Sequence, residues 1–232
     1  MTPTLVGFFG ISLPVAIATD LIFATVTKLI GAPFHHRQGS INWSLAKRLW
    51  LGSVPGTFFG VALVVFVVTK EQTSWLLWPL IAIVLVTAIT LGRRALTRSS
   101  GRGARSGPKP VSNWAAPMGG FGIGWAVALT SVGAGALGMA LLVRLSPRDV
   151  NVRELVGTDL VHAIPVALIA GGAYGLAGFL SLPLLLMMLM GSLPGAVVGS
   201  LLTGYLPSRV LNGGLSLILL TVVLLLISRS LP

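Results

Sequence analysis

Seven stretches of roughly 20 apolar residues follow one another along the chain, at about 15–33, 43–69, 74–92, 119–143, 156–175, 180–203 and 208–228. A helix needs about 20 such residues to cross a bilayer, so each stretch predicts one spanning helix. Residues 3–12 form an eighth apolar segment that is too short to cross. Most connections are brief and rich in turn residues, as at Gly10 to Pro14, Thr69 to Thr73 and Tyr205 to Arg209. The stretch 93–117 is the exception.

The pattern occurs twice. At a constant offset of 139, from Ala18 to Gly60, the identical pairs include Thr19/Thr158, Asp20/Asp159, Leu21/Leu160, Gly39/Gly178, Gly52/Gly191, Ser53/Ser192 and Pro55/Pro194, with no gap. Duplicated apolar halves are the mark of transporter folds, whose sites lie where the halves meet. The expected fold is an all-α integral membrane protein, a duplicated helical bundle. Residues 1–92 form repeat one, 93–117 a linker and 118–232 repeat two. Three spans intervene between the duplicates, and an odd number predicts parallel repeats about an axis near the membrane normal. A re-entrant hairpin at 119–143 would invert the second copy. Extended upstream, the alignment sets Met1 beside Met139, which is preceded by GGFGIGWAVALTSVGAGALG. The expectation is therefore 4 + 4 spans, with the first span of copy one missing and about 20 residues lacking at the start.

Composition supports the membrane reading: 54% of residues are apolar and 9% charged, against about 25% charged in a soluble domain. There is no cysteine, which excludes disulfides and thiolate metal sites. A net charge of +11 would suggest nucleic acid in a soluble protein, but the charges are placed otherwise. The linker carries Arg93, Arg94, Arg98, Arg102, Arg105 and Lys109 and no acid, which puts it in the cytoplasm. Counting crossings from there puts Lys28, Arg37, Lys47, Arg48 and Arg229 on the inner side with those six, against Lys70, Arg144, Arg148, Arg153 and Arg209 outside. Basic residues beside a membrane meet anionic lipid, so no nucleic-acid partner is expected.

Candidate chemistry begins at Thr130-Ser131-Val132-Gly133-Ala134-Gly135, where glycines and small residues interrupt an apolar span. A broken helix at membrane depth must face protein or a cavity. The half-helix that follows would offer free N–H groups to an anion, and Thr130 and Ser131 would add hydroxyl donors. Close helix packing through small residues is the competing account.

Asp20 and Asp159, each after a threonine (Thr19, Thr158), are acids inside spans. Such acids are functional candidates, suited to proton exchange, although a threonine and an acid at a helix start also describe an N-cap. Counting residues from the outer interface places the break and Asp159 at one depth, sharing a cavity. His162 lies three residues beyond Asp159 on one helical face, as a proton shuttle or as a histidine satisfied by that acid; its counterpart is Phe23. Lys28 is read as snorkelling to the inner surface. His35-His36-Arg37 reads as a basic cluster, with no accompanying acid or thiol for a metal. Gly-Ser-x-Pro-Gly, at 52–56 and 191–195, predicts paired kinks that shape the cavity, with direct contact to substrate as the other reading, and Trp43, Trp75, Trp78 and Trp114 an interfacial belt.

The ordered set ATDLIFATVTKLIGAPFHHRQGSINW, LGSVPG, TSVGAGALG, VGTDLVHAIPVALIAGGAYGLAG and MGSLPGAVVGSLL resembles the sulfite exporter TauE/SafE family over nearly the whole chain. The resemblance implies a multi-pass protein of the bacterial inner (plasma) membrane that moves sulfite, sulfoacetate or related organosulfonates. The expected partners are a small anionic substrate, lipid and protons, with no cofactor and a homo-oligomer left open. Two other classes stand beside it: an intramembrane enzyme using Asp159 and His162, and a membrane assembly subunit that transports nothing. Neither a nucleophile elbow nor an HExxH motif supports the enzyme.

Overall fold

The computed structural model describes residues 1–67, 77–96, 114–132, 135–146, 151–192 and 208–230. These form helices α1 (Thr2–Gly7), α2 (Leu13–Arg37), α3 (Trp43–Val67), α4 (Leu77–Leu96), α5 (Ala115–Thr130), α6 (Ala136–Leu145), α7 (Val152–Leu176), α8 (Leu182–Ser192) and α9 (Ser208–Ser230). No strand occurs among the described residues. Leu13–Arg37, Trp43–Val65 and Arg153–Leu176 are long and apolar enough to cross a membrane. Large apolar side chains such as Leu51, Phe58, Leu168 and Met187 face outward, as a lipid-clad bundle requires.

The duplication is structural. Helices α2 and α7 each hold 25 residues and start 139 positions apart, behind Ser12 and Asn151. Both are followed by a glycine in the left-handed region, Gly39 at φ 62° and Gly178 at φ 82°, where a Cβ would be strained. Helices α3 and α8 then start at Trp43 and Leu182, the same offset again.

The copies are inverted, which overturns the parallel arrangement expected from span counting. The backbone N–H of Asn42, just past the end of α2, donates to Thr158 Oγ1 near the start of α7 at 2.9 Å. Ser181 N–H, past the end of α7, donates to Thr19 Oγ1 near the start of α2 at 3.3 Å. The two bonds are counterparts at offset 139, and together they require α2 and α7 to run antiparallel. The physical reason lies in α5 and α6, which form a hairpin and not one continuous helix. Ser131, in the left-handed region at φ 55°, ends α5, and α6 folds back along it. A Cβ on Gly119 near the start of α5 would meet the Leu141 side chain near the end of α6, and Ala116 and Leu142 share one apolar cluster. A hairpin returns the chain to the end from which α5 started, so α7 runs opposite to α2.

Helices α3 and α5 make the tightest contact. Gly52, Gly56 and Gly60 of α3 face Gly120, Gly124 and Ala128 of α5 closely enough that a Cβ on Gly52 would strike the Pro117 carbonyl and one on Gly124 the Ser53 carbonyl. Small residues at such spacing let two backbones approach and so maximise dispersion contact where lipid supplies no hydrophobic drive. The first Gly-Ser-x-Pro-Gly motif lies inside α3, with Pro55 within the helix, and its glycines serve this contact. The second falls mostly outside the described residues. Trp43 opens α3, Trp78 lies in the first turn of α4 and Trp114 caps α5, all exposed, while Trp75 lies outside the described residues.

Candidate functional site

Asp20 and Asp159 are each the eighth residue of their helix, so neither is an N-cap. Inversion separates them. Leu160, next to Asp159, lies against Gly31, eleven residues along α2 from Asp20, which puts the acids about 16 Å apart along that axis at 1.5 Å per residue. Each heads its own polar layer between the repeats.

The first layer is built on the Asp20 carboxylate. Its Oδ2 accepts from Thr2 N–H at 2.8 Å, Thr2 Oγ1 at 2.8 Å, Ser131 Oγ at 3.0 Å and the Met1 amine at 2.9 Å. The short helix α1 therefore points its start at the carboxylate, and the α5–α6 break is tied to the same atom. This corrects the expectation that the break shares a cavity with Asp159; with the repeats inverted, the break meets the acid of the other copy. Thr130 spends its hydroxyl on the Ala126 and Val132 carbonyls, closing the end of α5. Gly133 and Ala134 lie outside the described residues. Gly135 precedes α6 with open space where a Cβ would stand. Thr19 and Thr158 stitch the repeats together through the paired bonds described above, and Thr158 also donates to the Glu154 carbonyl.

The second layer contains Lys28, Ser53, Asp159 and His162. Lys28 Nζ stands 4.0 Å from Asp159 Oδ2, with its side chain mostly buried, so it turns inward and does not snorkel. His162 Nε2 shares a 3.0 Å hydrogen bond with Ser53 Oγ, and its backbone carbonyl accepts from Trp50 Nε1 at 3.2 Å. Its partner is thus Ser53 on α3 and not Asp159. Asp159 Oδ1 and His162 Nδ1 are buried without a partner among the described residues. His35 bonds Ser40 Oγ and His36 packs edge-on against Trp43, so both stabilise the α2–α3 turn. Among the described residues no group of three metal-ligating side chains forms.

Sequence reasoning missed Thr2, Lys28, Trp50 and Ser53. The signal for Lys28 was its position in mid-span; for Ser53 it was the motif that surrounds it.

The match to the sulfite exporter TauE/SafE family model runs over residues 1–226, and the chain belongs to that family. It is similar to two proteins of Bacillus subtilis (strain 168). One, the probable membrane transporter protein YjnA, is 30% identical over 86% of this chain and 79% of its own length. The other, the probable membrane transporter protein YdhB, is 28% identical over 90% of this chain and 82% of its own. No solved structure matches. Family and relatives make the chain a membrane transporter with a small-molecule substrate rather than an enzyme.

Proposed function

We propose that the protein is a multi-pass secondary transporter of the bacterial plasma membrane that moves a small sulfur-containing oxyanion, sulfite or an organosulfonate, together with protons. The observation that carries this reading is the junction of Ser131, at the break, with Asp20 of the opposite copy. Interrupted helices meeting an acid between inverted repeats are the arrangement by which transporters build a mid-membrane site. The family match supports the choice of substrate. The layer around Asp159 supplies a place for the proton, since a buried acid with an unpartnered oxygen can take one up and then donate a hydrogen bond. Uptake of labelled sulfite and methanesulfonate by proteoliposomes, with an internal pH dye, tests it. Anion movement accompanied by acidification of the lumen is expected; movement of neither anion would end the reading.

The inverted arrangement supports one topology for this transporter, in which the end of α4 and the starts of α5 and α7 share one side of the membrane. Arg144, Arg148, Arg153 and Arg209 join Arg37, Lys47, Arg48 and the six linker cations there, leaving Lys70 and Arg229 opposite. This distribution is more one-sided than a parallel arrangement gives, as the positive-inside rule favours. Reporters fused after Arg105 and within residues 147–150 should both read cytoplasmic. A periplasmic signal from the second would restore a full crossing at 119–143.

A further inference from the structure

The buried cation in the second layer has a weak resting partner. Lys28 Nζ and Asp159 Oδ2 are 4.0 Å apart, whereas a charge-assisted hydrogen bond between such groups closes to about 2.7–2.9 Å. Lys28 makes no hydrogen bond to a described residue. Asp159 is 7% exposed and His162 1%, and each keeps one polar atom without a partner among the described residues. Three adjacent polar groups from two repeats thus have unused capacity in a place where unsatisfied polar atoms are costly. When Ser53 donates to His162 Nε2, the ring proton sits on Nδ1, which adds a second donor beside the ammonium.

We propose that Lys28 is the charge that recognises the transported anion, with Asp159 as its resting counter-ion, and that the site takes a headgroup carrying a single negative charge, such as a sulfonate. The proposal rests on the transporter reading above and deepens it. At rest, the ammonium and the carboxylate sum to zero. An entering monoanion takes the place of Asp159 against Lys28, and the displaced carboxylate would be an uncompensated buried charge unless it took up a proton from the aqueous phase. With that proton the total is again zero, and the Asp159 hydroxyl can donate to the anion that displaced it. A dianion would leave one charge unbalanced, since no further cation faces the cluster among the described residues. Helix α2 contributes Lys28 and, against Gly157 of α7, His35, whose Nδ1 is bonded to Ser40 Oγ; α3 contributes Ser53 and Trp50; α7 contributes Asp159, His162 and Glu154, the last held by Asn42 Nδ2. Helix α5 brings no titratable side chain, and α6 only the exposed Arg144. The counterpart of Lys28 in copy two is Ala167 and that of His162 is Phe23, so the first layer has neither side chain.

Thermal stabilisation of the purified full chain by methanesulfonate, nitrate and sulfate tests this. Methanesulfonate should stabilise the wild type at a concentration at least about tenfold below that required of sulfate. Lys28→Gln should raise the half-saturating methanesulfonate concentration about ten- to a hundredfold, as loss of a charged hydrogen-bonding partner does. The double variant Lys28→Gln/Asp159→Asn removes both charges and should melt close to the wild type without recovering the response. Recovery in the double variant would make the pair structural and overturn the proposal, as would an unchanged response in Lys28→Gln or no stabilisation of the wild type by any anion. Equal, Lys28-dependent responses to nitrate and methanesulfonate would leave Lys28 in its role and remove only the preference for sulfur.

Discussion

Gly124→Leu should prevent accumulation of folded protein, whereas Gly122→Leu two residues away should be tolerated. A side chain at Gly124 would be driven into the Ser53 carbonyl on α3, and backbone cannot give way as a flexible side chain can. A Cβ at Gly122 has open space around it. Overpacking a tight contact costs about 1–3 kcal/mol even for modest additions, and here the helices must separate along their whole shared length, losing dispersion contact at Gly52, Gly56 and Gly60 together. The measurement is the monodisperse yield in detergent and the melting temperature of the two variants side by side. Equal yields and melting points would show that α3 and α5 are not in the close contact described.

Asp20→Ala should abolish transport and lower stability together. Its carboxylate is the shared acceptor for the Thr2 amide and hydroxyl and for Ser131 at the break. Removing it leaves the Thr2 amide and Ser131 without this acceptor and the Thr2 hydroxyl with only the Ala16 carbonyl at 3.4 Å, at about 1–3 kcal/mol for each donor left unsatisfied. Asp20→Asn keeps one acceptor oxygen but turns an amide donor toward groups that are themselves donors, so it should fall between Ala and wild type in melting temperature. Transport by Asp20→Ala, measured per folded molecule, should drop by at least tenfold because the α5–α6 turn loses its anchor. Wild-type transport in that variant would mean that the break is held by other contacts.

Much of this fold was legible because the repeat is exact in length. An offset of 139 read from pairs such as Gly39/Gly178 and Asp20/Asp159 anticipates the starts of α2 and α7 and of α3 and α8. The relative orientation of the copies was not legible. Hydropathy counts apolar length, and a hairpin of 16 and 10 residues has the same apolar length as one interrupted crossing. What separates them is the conformation of Ser131, which no residue type dictates. That error carried into the site: with parallel repeats the break falls beside Asp159, and with inverted repeats it falls beside Asp20. His162 was noticed through its spacing from Asp159, yet its partner Ser53 is 109 residues away in sequence and only the packing of α3 against α7 brings them together.

Two halves of one repeat that face opposite ways must part company wherever charge decides orientation. They have done so. Arg37, Lys47 and Arg48 of the first copy stand opposite Leu176, Leu186 and Met187 of the second, while Arg153 of the second stands opposite Pro14 of the first. The shared residues hold the architecture, and the address of each half is written in the positions where the two no longer agree.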